Sequence, residues 1–221
     1  MNYQKIGGIA AITEAIIYLI GFIFLFLFLA PSADTLLSDT EKLRFVLEKK
    51  SMFQIWNILI YVLFGLVLIL LTIALQENFQ NKKAIGLKTI PVLGFIWSGL
   101  VISSGMIANI GLETLNDLYA ENPATAVVSW KILSTIQNGL GGGVEVVGGL
   151  WVFLISVYGL KEKVFPKTLN YLGVLVGGTG MLTLVPGLQE LGALFGLTQI
   201  IWFLWIGTYM LTGKKATKAN T

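Results

Sequence analysis

Glu145 is where chemistry would be sought first. It stands in "GLGGGVEVVGGLW", Gly139 to Trp151, a stretch that carries six glycines and a single carboxylate. On a continuous helix the positions three and four residues away share a face, and around Glu145 these are Gly141, Gly142, Gly148 and Gly149. The spacing predicts a carboxylate standing in a groove bare of side chains. Each glycine costs about 1 kcal/mol of helix propensity relative to alanine, and an acid in mid-span about 2.5–3.5 kcal/mol on insertion scales. Two compensations are expected. The glycines admit another helix backbone, as in small-xxx-small packing, or they leave room for a ligand or cation to reach the carboxylate.

The first span repeats the pattern more mildly. Gly7, Ala10, Ala11, Glu14, Tyr18 and Gly21 fall on one helical stripe, which places Glu14 among small residues and toward protein rather than lipid. At ~1.5 Å per residue, Glu14 and Glu145 differ by roughly 10 Å in depth, so a carboxylate pair sharing one proton is not expected. Amides gather toward the outer half: Gln54, Asn57, Asn109, Gln137, Asn138 and Gln189, with Glu113 and Glu190. Gln199 follows Gly192 and Gly196 on one face of the last span. The candidate ligand-binding set is therefore Glu145, Glu14, Asn138, Asn109, Gln199 and Asn57. The helix-packing set is Gly141, Gly142, Gly148 and Gly149.

Other chemistries are thinly supplied. The chain has no cysteine and no histidine, which removes disulfides, thiolate nucleophiles, imidazole bases and the usual zinc sites. No catalytic residue, metal site or cofactor is expected. "GLGGG" lacks the preceding strand and following lysine of a phosphate loop, and every lysine lies at a span end or in a connection, so no retinal-type lysine is present.

The elements that must position these residues are membrane helices. The chain is 55% hydrophobic and 12% charged, against roughly 25% charged in soluble domains. A spanning helix takes about 20 apolar residues, and six are predicted, at about 6–30, 53–75, 90–112, 139–160, 168–187 and 191–212. The expected fold is all-α, a polytopic integral membrane protein forming one domain over 1–221. "APSA", Ala30 to Ala33, has the look of a cleavage site. The apolar stretch before it is longer than a signal core of roughly 7–15 residues and carries Glu14, so it reads as an uncleaved span.

Basic residues set the orientation. With a cytoplasmic N-terminus, the inner segments hold Lys5, Lys82, Lys83, Lys88, Lys161, Lys163, Lys167, Lys214, Lys215 and Lys218, and the outer ones Lys42, Arg44, Lys49, Lys50 and Lys131. Ten against five places both termini in the cytoplasm. The formal charge of +3 is thus topological, and no nucleic-acid partner is expected. The expected location is the cell membrane, with multiple passes. The expected partners are membrane lipids, a small-molecule or cation ligand, and a second copy or another membrane protein.

Two outer connections exceed a tight turn. Residues 32–50 mix Leu36, Leu37, Leu43, Phe45, Val46 and Leu47 with charges and predict an amphipathic surface helix. Residues 114–138 are expected to continue as helix into the fourth span. Trp56 and Trp205, near span ends, read as interface anchors. Ser98, Ser103 and Ser104 are expected to bond back to their own helix. "KTIPVLG" (88–94) and "KTLNYLG" (167–173), preceded by "GLVLILLTIAL" and "GLWVFLISVYGL", suggest that spans two and three repeat as spans four and five, in parallel rather than inverted topology.

The stretch "FPKTLNYLGVLVGGTGMLTLVPG" followed by "IIWFLWIGTYML" resembles the closing hairpin of the bacterial membrane-protein family catalogued as domain of unknown function 4386. Pro166, Leu172, Gly173, Leu204, Trp205 and Gly207 carry the resemblance, which is best over 165–211 and loose over the whole length. It implies a six-helix fold and no established activity. The function expected from the residues is a non-enzymatic membrane protein that binds or transports a small molecule or cation through an outward-opening cavity. The alternative is a structural or assembly protein that docks through its glycine-rich helix face.

Overall fold

The computed structural model describes residues 2–29, 37–80, 82 and 84–213, and all of their regular structure is helical. The "APSA" motif, Asp34, Leu36, Lys83 and the lysines at 214, 215 and 218 lie outside the described residues. Five stretches are long and apolar enough to cross a membrane: Tyr3–Leu29, Lys50–Phe79, Ile85–Glu121, Pro123–Glu162 and Leu191–Leu211.

The first stretch is α1 (Tyr3–Phe24), extended by a π-helical turn. The second joins α3 (Lys50–Asn57) to α4 (Phe64–Gln76) through a π-helical segment. The third is α5 (Thr89–Glu121), and the last is α9 (Leu191–Leu211). The fifth expected span, 168–187, is helical only as α8 (Lys167–Leu182). Gly177, Gly178 and Gly180 weaken its end, and turns begin at Thr183. Residues 114–138 divide: 114–121 finish α5, and α6 (Pro123–Gln137) starts afresh with Pro123 at its first turn and the Asn122 side chain accepting from the Ala124 and Thr125 N–H groups.

Packing follows chain order. α1 lies against α4, α4 against α5, α5 against α7 (Val146–Glu162), α7 against α8, α8 against α9, and α9 returns to α1, closing a ring. Glycines set the closest approaches. A Cβ on Gly149 would sit 2.7 Å from the Gly177 carbonyl oxygen and the Met181 nitrogen, so α7 and α8 meet backbone to backbone. Outward from the ring the surface is apolar, with Phe26, Leu27, Ile110 and Leu184 among its exposed residues.

The sequence repeat has a structural counterpart. A Cβ on Gly94 would fall 2.4 Å from Thr72 Oγ1 and 2.7 Å from Trp151 Nε1, and one on Gly173 would fall 1.9 Å from Ser156 Oγ and 2.6 Å from Trp202 Nε1. Gly94 and Gly173 end the two matched heptapeptides, and Thr72 and Ser156 match in the preceding spans. Each glycine thus nests between a hydroxyl of the preceding span and an indole of the next.

At one end the amphipathic expectation is met by α2 (Asp39–Glu48), which starts with a capping box between Ser38 and Glu41. Leu43 is fully buried against Leu115 and Ala126. Lys131 on α6 bonds Asp39 at 2.5 Å, and this bond and charge hold the Asp39 carboxyl below its ordinary range.

Candidate functional site

The glycine run does not continue a helix. Gly139, Gly141, Gly142 and Gly143 together forfeit about 4 kcal/mol of helix propensity relative to alanine. After a π-helical segment over Asn138–Gly142, Gly141 takes φ +104° and the helix stops. α7 begins at Val146, with Glu145 in the N-cap position. This corrects the continuous fourth span at 139–160 and the groove expected around Glu145. Gly141 and Gly142 belong to the break, not to a shared face. Gly148 and Gly149 do pack helices: Gly148 against the Trp97 indole of α5, Gly149 against the α8 backbone.

A break at membrane depth frees backbone groups that neighbouring protein must satisfy. Three residues do so. Asn138 O accepts from the Gly143 and Val144 N–H groups. Thr183 Oγ1 accepts from Glu145 N at 2.8 Å. Ser104 Oγ donates to Gln137 O at 3.2 Å, so it reaches across to a neighbour, whereas Ser98 and Ser103 bond back to Gly94 and Gly99 of their own helix as expected.

The Glu145 side chain makes no capping bond to its own helix, and none of the described residues hydrogen-bonds its carboxylate. It lines a cavity of about 620 Å³ between α1, the α3–α4 span, α5, the break and the start of α9. Tyr18 and Tyr61 share this wall. Trp56, Phe64, Trp97 and Phe195 supply further aromatic surface, and the Gly141–Gly143 backbone forms another side. The cavity extends to the exposed Gln189 and Glu190 at the end of the bundle where α2 lies.

On the other side a circuit of aromatic rings closes the bundle. Phe64, Trp97, Trp151, Trp202 and Phe203 follow one another at centroid distances of 5.4, 5.6, 6.0 and 5.6 Å, and Phe203 returns to Phe64 at 6.3 Å. Trp151 lies six residues beyond Glu145 on α7, about 9 Å along the helix axis. Phe64 and Trp97 belong both to this circuit and to the cavity lining.

Of the six candidate ligand residues, the main cavity takes only Glu145. Asn57 donates to Asn109 at 3.0 Å, and Asn109 donates to the Gln54 carbonyl, so these amides fasten α3 to α5; Asn57 also lines a smaller cavity of about 190 Å³. Asn138 serves the break through its carbonyl. Gln199 is fully buried with both amide atoms unpartnered among the described residues. Glu14 is likewise sealed, on the protein-facing side of α1 as expected, with neither oxygen bonded among the described residues. Trp56 is no simple interface anchor: its indole donates to Gly21 O at 2.9 Å and lines the cavity. Tyr18, Tyr61 and Trp97 line the cavity as well, and sequence reasoning does not select them as site residues.

No family model matches the chain, and neither a curated protein nor a solved structure does.

Proposed function

We propose that this chain is a non-enzymatic integral membrane protein that binds a small molecule or cation in the cavity beside Glu145 and moves it across the membrane. The carrying observation is an unbonded carboxylate at a break in a membrane-length helix, facing a cavity of about 620 Å³. That volume falls within the range of small-molecule sites, and an ionisable residue at membrane depth is by default a functional one. Half-helices that end at a central site are a recurrent means of exposing backbone groups to a transported ligand. The same proposal includes six transmembrane passes with both termini cytoplasmic, on the distribution of lysines. It also includes membership of the bacterial family that residues 165–211 resemble.

Native mass spectrometry of wild type and Glu145→Gln released from mild detergent tests the reading. The expected result is a bound mass on the wild type that the variant loses. Bare spectra for both, from membranes of the producing cell and from protein supplied with its lipid extract, would refute it. The assembly alternative has less support, because Gly148 and Gly149 are covered by α5 and α8 of the same chain.

A further inference from the structure

We propose that the cavity takes an organic monocation, a protonated amine or quaternary ammonium; the assignment rests on the binding function proposed above. Charge is the first argument. The lining includes two carboxylates, Glu145 and Glu190, and no lysine or arginine. The ion pairs of the described residues leave Glu145 without a cationic partner. A cation entering this wall meets no competing positive side chain.

The walls decide between an organic and an inorganic cation. A calcium ion takes six to eight oxygen ligands and magnesium a near-ideal octahedron, and no group of acids able to hold a metal occurs among the described residues. What surrounds Glu145 is aromatic. Trp56 meets Tyr61 nearly at right angles (84°), Tyr18 meets Phe64 at 86°, and Phe64 meets Trp97 at 70°. These contacts set two tryptophans, two tyrosines and a phenylalanine side by side in the lining. Tryptophan and tyrosine rings attract cations of low hydration, and cages built of such residues recognise quaternary ammonium groups.

The test titrates purified protein in nanodiscs with benzyltrimethylammonium, benzyl alcohol, benzenesulfonate and sodium ion, following tryptophan emission, since Trp56 and Trp97 line the cavity. The organic cation should give a saturable change and the other three none in the same concentration range. Glu145→Gln should raise its Kd at least tenfold. Ala193→Phe, which fills the cavity from α9 while leaving the carboxylate in place, should abolish binding even if Glu145→Gln proves unstable. Equal affinity for benzyl alcohol, an unchanged Kd in Glu145→Gln, or binding that survives Ala193→Phe overturns the cation assignment, as does the absence of any saturable change. A Glu145-dependent bound mass in native spectra would then preserve the binding function with a ligand of another class, whereas bare spectra would remove both.

Discussion

Gly177 and Gly178 are consecutive residues of α8, and alanine at each should move stability in opposite directions. A Cβ on Gly178 meets nothing within 4 Å, so Gly178→Ala should gain helix propensity, up to about 1 kcal/mol. A Cβ on Gly177 would lie 2.5 Å from Gly149 O and 2.6 Å from both the N and Cβ of Phe153. Relieving those overlaps moves α7 and α8 apart by about 1 Å, and a gap of that size forfeits a quarter to a half of the dispersion attraction across the seam. Overpacking of this kind costs about 1–3 kcal/mol. Set against the propensity gain, Gly177→Ala should be destabilised by up to about 2 kcal/mol. Gly149→Ala strikes the same seam, 2.7 Å from Gly177 O, and the double variant should be less than additive because one separation relieves both overlaps. Reversible unfolding in mixed micelles, followed by tryptophan fluorescence and paired with size exclusion, reads all of these. Equal shifts for Gly177→Ala and Gly178→Ala would refute the seam. A change of oligomeric state without loss of protomer stability would return the glycine face to the assembly reading.

Thr183→Val should leave the Glu145 N–H without its acceptor at 2.8 Å and destabilise by about 1–3 kcal/mol. Thr183→Ser should restore most of it, and an unfolding titration distinguishes the two. The Asp39 carboxyl is held below its ordinary range by the hydrogen bond and charge of Lys131. A depressed acid contributes stability above its unfolded pKa and loses it as pH falls through its folded pKa. The protection factors of α2 amides, exchange corrected for its intrinsic pH dependence, should therefore fall on acidification into that range, and Lys131→Met should lower them at neutral pH; protection indifferent to both changes would exclude the tie. In this cysteine-free chain, Ala120→Cys should react with an impermeant maleimide in intact cells and Gln80→Cys only after permeabilisation. The reverse pattern would invert the proposed orientation.

What the sequence made legible was the type of each costly residue and, for the apolar runs, the element that carries it. Gly148 and Gly149 are helix-packing residues because a helix of any continuity presents them inward. Glu14 lies on a protein-facing stripe because small residues recur at helical spacing around it. Helical spacing hides the break for a definite reason: spacing arguments presuppose the helix whose faces they count, whereas four glycines within five positions, Gly139 to Gly143, concentrate enough propensity loss to end it. That concentration was the available signal. The aromatic wall offered none of comparable strength. Tyr18, Tyr61 and Trp97 come from three spans, and an aromatic residue in an apolar run reads alike whether it faces lipid, core or cavity. Amide type was legible, but amide partnership was not, since the bond between Asn57 and Asn109 depends on a register set by α3 and α5. The break itself joins the two features that opened the sequence. By stopping one helix at Gly142 and starting the next at Val146, the glycines turn a carboxylate that would have faced a neighbouring backbone into one that faces a cavity. Thr183, Asn138 and Ser104 hold the freed backbone on the protein side. The glycines are thus the condition for the acid's exposure, which is why their position and its chemistry belong to one site.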